Sequence, residues 1–127
     1  MADVNRGNRP LSPHLTIYRP QLNSITSIFV RITGNGLIVG AIAVVWWLMA
    51  AASGAAYFDL IDGLVTSVLG DIVMTLSALA LWYHALGGVR HLIWDTGRGL
   101  DAKTSDTMGW AMIIGSVVLT ALTVIVI

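Results

Sequence analysis

His84 and His91 lie seven residues apart in an apolar run, His84-Ala85-Leu86-Gly87-Gly88-Val89-Arg90-His91-Leu92-Ile93-Trp94-Asp95. Ionisable side chains are costly in hydrocarbon, so two imidazoles and a guanidinium at membrane depth mark a functional site. Gly70, Ser77, His84 and His91 recur every seventh residue, and two helical turns nearly realign them on one face. That face is expected to look into a bundle groove and not into lipid. Gly87 and Gly88 are expected to leave room beside it for something flat and wide, although glycines in membrane helices also serve plain packing. An imidazole so placed can be a structural hydrogen-bonding group, a proton carrier, a metal ligand or a haem ligand.

The neighbours narrow the chemistry. Arg31 lies about two turns inside the first apolar stretch, and an antiparallel second stretch brings it to a depth similar to the histidines. A cation there suits haem propionates or a quinone carbonyl; snorkelling to the interface is the alternative. Ser27 shares the Arg31 face at a spacing of four, so a hydroxyl and a guanidinium can converge on one polar target, unless the serine serves only its own backbone. Asp95 closes the same mouth or is simply a solvated helix end. His84 and His91 are separated by roughly 10 Å along the axis, whereas axial nitrogens on one iron are about 4 Å apart, so both cannot ligate one haem. If haem is the ligand, one histidine of this chain binds it and a partner subunit supplies the other. Depth selects His84, with His91 near the propionate edge or facing the interface; His14, on a polar proline-broken segment, lies outside the membrane.

The elements that must position these groups follow from composition. Of 127 residues, 56% are hydrophobic and 11% charged, and the mean hydropathy is +0.79, so an all-α membrane protein is expected. Lys and Arg number seven against seven acidic residues, which leaves no net field to attract nucleic acid. The absence of cysteine excludes disulfides and thiolate-held metal. Three transmembrane helices are predicted at about residues 25–52, 64–94 and 107–127, forming one domain after an N-terminal segment of residues 1–24. The stretch from Tyr57 to Gly63 is expected to be a loop; it holds Asp59 and Asp62 but no base, while Arg98 and Lys103 lie between the second and third spans. The positive-inside rule then puts the N-terminus in the cytoplasm and the C-terminus outside. Residues 1–22 carry Arg6, Arg9 and Arg19 without an apolar core, which argues against a secretory signal, and Pro10, Pro13 and Pro20 break the helix a mitochondrial leader needs. A bacterial inner membrane is favoured. Trp94, Trp110, Tyr57 and Phe58 read as interfacial anchors, Trp46 and Trp47 as anchors or packing, and Gly36 with Gly40 as a small-residue packing element.

With these residues in view, the chain resembles the cytochrome b556 membrane-anchor subunits of succinate dehydrogenase, respiratory complex II. The resemblance rests on Arg9-Pro10-Leu11-Ser12-Pro13-His14-Leu15-Thr16-Ile17-Tyr18, on Ser27-Ile28-Phe29-Val30-Arg31-Ile32-Thr33-Gly34, and on the run from His84 to Asp95. It implies a three-helix part of a haem-binding bundle. His84 would be one axial ligand of a single haem b, the other being a histidine of a second small anchor subunit. Ser27 and Arg31 would help form a ubiquinone site shared with that anchor and an iron-sulfur subunit; Arg31 would also approach a propionate, and Asp95 falls where the family has a carboxylate near the quinone. Some members carry a histidine just before the arginine, where this chain has Val30. A flavoprotein subunit would oxidise succinate, since this chain has no flavin motif and no cysteine. Two rivals remain: a b-type anchor of another dehydrogenase, which commonly needs more histidines, and a non-redox membrane scaffold.

Overall fold

The structure, a computed structural model, describes residues 13–127. The readings that fall on residues 1–12, and on the side chains of His14 and Leu15, lie outside the described residues. A single turn, α1 (His14–Ile17), opens the fold, with the N–H groups of Thr16 and Ile17 reaching the Pro13 carbonyl at 2.8 and 3.1 Å. Pro20 cannot donate to a continuing helix, and the chain restarts as α2 (Leu22–Ser53), followed by α3 (Ala55–Val65), α4 (Val68–Asp95) and α5 (Ala102–Val126). Tyr18 donates to Ser24 at 3.1 Å and ties the entry segment to the first turn of α2. Helices α2, α4 and α5 are long and apolar enough to cross a membrane; α2, at about 48 Å, exceeds the hydrocarbon thickness of about 30 Å.

The ends of the spans differ from expectation for local reasons. Helix α5 starts at Ala102, ahead of its apolar stretch, because the Asp101 carboxylate accepts the Thr104 N–H at 2.9 Å and caps it. Helix α4 starts at Val68, with Ser67 accepting from the Gly70 N–H at 3.1 Å. The expected loop from Tyr57 to Gly63 is instead helical, as part of α3. Gly54, at φ 136°, turns the chain between α2 and α3, a conformation that favours glycine. Trp46 then donates to the Tyr57 hydroxyl at 2.7 Å and Trp47 to Asp62 Oδ1 at 3.0 Å, so both indoles fasten α3 to α2.

Helix α4 is the central element, antiparallel to α2 on one side and packed on α5 on the other. Its register on α2 is set by small residues: a Cβ added at Gly40 would meet Ser77 Oγ at 3.4 Å, and one at Gly34 would meet the His84 ring. Gly36, expected to pack with Gly40, has nothing within 4 Å. Against α5, Leu86 lies 3.0 Å from the Cβ position of Gly115, and Trp82 donates to Thr123 at 2.9 Å. The interior is the reverse of a soluble core. Buried residues include Thr26, Ser105, Ser116 and Thr120, while most Leu, Ile and Val side chains face outward. Without a hydrophobic drive between helices in lipid, close packing of small residues holds them together. Thr120 and Ser116 turn back to their own helix, to the Ser116 carbonyl at 2.7 Å and that of Ile113 at 2.8 Å, whereas the Ser105 hydroxyl donates across to Asn23 Oδ1 of α2 at 2.9 Å.

Candidate functional site on the face of α2 and α4

The seven-residue stripe of α4 resolves into four environments. A Cβ at Gly70 would fall 2.1 Å from the Val65 carbonyl, so this glycine serves the tight α3–α4 turn and not a helix groove. Ser77 packs on Gly40. His84 lies against α2, whereas His91 is exposed, its ring edge-on to Trp94 at 5.2 Å between centroids. The reason is register: Tyr83 and His84 lie level with Thr26 and Val30, so at His91 α4 is passing the start of α2. Within this chain, only His84 of the two histidines is set against a neighbouring helix.

His84 is held by the backbone. Its Nδ1 lies 2.9 Å from the Val30 carbonyl oxygen. A carbonyl only accepts, so Nδ1 carries the proton and Nε2 keeps its lone pair. The ring fits a notch at Gly34, where an added Cβ would lie 2.9 Å from Cε1 and 3.3 Å from Nδ1. An imidazole whose second nitrogen donates to a backbone carbonyl is oriented as metal-bound histidines usually are. The donor set thus fits a haem iron at Nε2. Val30 supplies this contact through its main chain, which its side-chain identity could not reveal.

Around the helix axis, His84 is turned about 200° from Trp82 and Leu86, which meet α5, so it belongs to the α2–α4 face opposite α5. His91 and Asp95 fall within roughly 20° of the same direction on α4. On α2, Ser27 is half-buried and Arg31 exposed on the flank beyond Val30. Arg31 follows the residue bonded to His84, so it stands at the depth of that ring. The structure therefore brings His84, Ser27 and Arg31 to one open face. Asp95 is exposed at the last turn of α4, and no hydrogen bond among the described residues joins it to Ser27 or Arg31. Gly88 has nothing within 4 Å and stays open, but Gly87 does not: its Cβ position is 2.6 Å from Val30 Cγ2 and 3.4 Å from Met112 Sδ, so the space expected there is filled by packing.

Arg90, the guanidinium counted with the two histidines in the sequence as marking a functional site, instead serves the packing of the bundle. It is 4% exposed and joins three helices, donating to Thr26 Oγ1 at 2.8 Å, to the Ser105 carbonyl and hydroxyl oxygens at 3.1 and 3.0 Å, and to Asn23 Oδ1. Trp94, beyond its expected anchoring role, lies over the guanidinium at 4.2 Å and donates to the Gly99 carbonyl at 3.0 Å. The available signal was a second seven-residue pair, Tyr83 and Arg90, one position before the histidines, facing the polar Asn23 and Thr26 of α2. Apolar clefts, such as one of about 270 Å³ lined by Ala43, Val44, Trp47, Val65 and Met74, lie towards the other end of the bundle, away from His84.

Comparison with known proteins accords with this geometry. A family model described as succinate dehydrogenase/fumarate reductase transmembrane subunit matches residues 5–123. The succinate dehydrogenase cytochrome b556 subunit of Paracoccus denitrificans is 53% identical over 126 residues, covering 99% of this chain and 97% of the relative. The subunit of the same name from Rickettsia conorii is 40% identical, covering 90% of this chain and 89% of its own. The succinate dehydrogenase cytochrome b560 subunit of Marchantia polymorpha is 37% identical, covering 93% and 90%.

Proposed function

The chain belongs to the succinate dehydrogenase/fumarate reductase transmembrane-subunit family, and from that premise we propose that it is the cytochrome b anchor of a succinate:ubiquinone oxidoreductase, holding one haem b through His84 and contributing Ser27 and Arg31 to the quinone-reduction site. The observation that carries the reading is the fixed tautomer of His84, with Nδ1 committed to the Val30 carbonyl and Nε2 available on an open face at membrane depth. That face is closed on one side only, which suits a group completed by a histidine of a companion small anchor subunit. Haem, when bound, supplies a one-electron redox centre. The chain's own residues orient: the Val30 carbonyl sets the direction of the His84 ring, and the notch at Gly34 fixes its plane.

Arg31, exposed at the depth of His84, is placed to pair with a propionate and to stabilise negative charge developing on a quinone oxygen. Ser27, one turn nearer the helix start, donates to a quinone carbonyl. His91 serves the propionate edge from its exposed position, and Asp95 lies where protons enter from the aqueous side. Basic residues gather at this end, with Arg19, Arg98 and Lys103 beside it, which by the positive-inside rule supports a cytoplasmic N-terminus and a site at the cytoplasmic face of a bacterial inner membrane. Succinate oxidation belongs to a flavoprotein and an iron-sulfur subunit. The test is the visible spectrum of the intact complex purified from membranes. A reducible b-type band that is lost or altered in His84→Ala supports the assignment, and an unchanged band in that variant removes His84 as ligand.

A further inference from the structure

We propose that Gly88 is a positioning residue for the haem: it is left bare so that the macrocycle can lie against α4 one turn beyond His84, on the His91 side and not on the Leu81 side. The inference deepens the haem reading above and rests on it.

Glycine inside a helix costs roughly 0.5–1 kcal/mol relative to alanine, so each one calls for a reason. Within α2, α4 and α5 the reason is usually a neighbour in this chain: Gly34 receives His84, Gly40 receives Ser77 and Gly115 receives Leu86. Of the glycines in these three helices, only Gly36 and Gly88 have nothing within 4 Å of an added Cβ. Neither has a positive φ, so backbone conformation does not call for glycine at either place. Gly36 is turned about 200° from Gly34 and stands on a flank of α2 away from His84. Gly88 is about 40° from His84 around the axis of α4 and about 6 Å nearer Asp95. Its missing side chain therefore clears the open face that Nε2 of His84 serves.

Two kinds of occupant need such clearance. A second helix crossing at a glycine asks for small residues one turn away on either side. Here those places hold His84 and Leu92, and Leu92 is 66% exposed. The clearance is thus local, which suits a ring held at one point. A porphyrin is several times wider than the imidazole–iron bond of about 2 Å is long, so its plane passes close to the helix that ligates it, within a turn of the histidine. On one side of His84 that space is taken by Leu81, 54% exposed on the same flank. On the other side it is free, at Gly88. The asymmetry offsets the ring towards His91 and carries its polar edge to the end of the face where His91 stands.

The test uses the intact complex in native membranes, with Gly88→Ala, Gly88→Leu and, for comparison, Gly36→Leu. If nothing lies on Gly88, alanine there only favours the helix. The expectation is instead that Gly88→Ala keeps the haem but shifts its midpoint potential and the low-field g-value of its electron paramagnetic resonance. Gly88→Leu is expected to lower haem per complex about tenfold or more, as a clash of overpacking size would, while Gly36→Leu retains full haem. Unchanged potential, g-value and haem content in both Gly88 variants overturn the proposal, as does equal haem loss in Gly36→Leu. Faster loss of a membrane polypeptide in detergent from Gly88→Ala, with potential and g-value in place, makes Gly88 a helix contact and also overturns it. A wild-type complex with no b-type band fails the haem assignment and the proposal with it, whereas a band indifferent to Gly88 fails the proposal alone.

Discussion

Two arginines lie in the membrane-spanning helices, and they meet opposite fates. Arg90 is sealed among Asn23, Thr26, Ser105 and Trp94, with neutral hydrogen-bonding partners drawn from α2 and α5. Arg31, on the other flank of α2, is exposed at the depth of His84. The first region answers all of its polar demands but one, the buried Arg90 Nε–H, which has no partner among the described residues, and so builds the bundle. The second leaves the Arg31 guanidinium and the His84 Nε2 without a hydrogen-bond partner among the described residues. In a membrane, where water does not satisfy stray polar groups, that distinction separates architecture from function more sharply than burial does.

Breaking the satisfied side should give the largest effect. Arg90→Ala removes the hydrogen bonds that tie α4 to Asn23 and Thr26 of α2 and to Ser105 of α5, and a hydrogen bond to a charged group contributes about 1.5–3 kcal/mol. The complex is expected to lose thermal stability and to accumulate poorly, while whatever assembles keeps a normal haem band. Unchanged melting with lost quinone activity would invert the comparison and move Arg90 to the functional side.

Arg31→Ala should do the reverse. Removing a preorganised charge from a developing oxyanion typically slows turnover about a hundredfold. Quinone reduction is expected to fall on that scale, with haem content and melting temperature retained. Full quinone activity would take Arg31 out of the site.

Two glycines one helix apart sharpen the contrast further. Gly34→Ala drives a methyl into the His84 ring, 2.9 Å from Cε1, whereas Gly87→Ala meets Val30 Cγ2 at 2.6 Å. The imidazole can tilt, so the first variant should shift the haem spectrum or potential with little loss of stability. Valine is stiff at χ1, and overpacking costs roughly 1–3 kcal/mol, so the second should lower the melting temperature and leave the spectrum alone. Spectral changes of equal size in both variants would erase the distinction between the two faces.

The three spans were legible because hydropathy reports lipid contact, and His84 stood out because ionisable groups in apolar runs are rare. Three features were hidden for separate reasons. Helix α3 is too short and too mixed for a hydropathy reading, and its formation depends on indole contacts from Trp46 and Trp47 that only the folded chain supplies. The partner of His84 is a backbone carbonyl, which every residue possesses. Arg31 and Arg90 look alike in sequence, and what separates them is the rotation of α2 and α4 relative to α5. Gly87 was misread for the same reason, since a residue only 60° round the helix from His84 faces Met112 of α5 instead of an open slot.

Asp101 gives the smallest effect and calibrates the others, because it is a satisfied polar contact outside both regions. The Thr104 N–H beside it holds its carboxyl below the ordinary carboxylate value, and the Thr104 side chain adds to this. A depressed folded-state value means that the cap is in force above the ordinary Asp range and is lost as the pH falls through the lowered value. Amide exchange at Thr104, corrected for its intrinsic pH dependence, should therefore accelerate only in acid. Asp101→Asn keeps an acceptor at the N-cap and should abolish that pH dependence, while Asp101→Ala should show fast exchange at every pH. Neither variant should move the haem band or quinone turnover. A change in either readout would mean that the start of α5 is coupled to the open face through Ser105 and Arg90, so that the sealed region helps set the site's electrostatics as well as its scaffold.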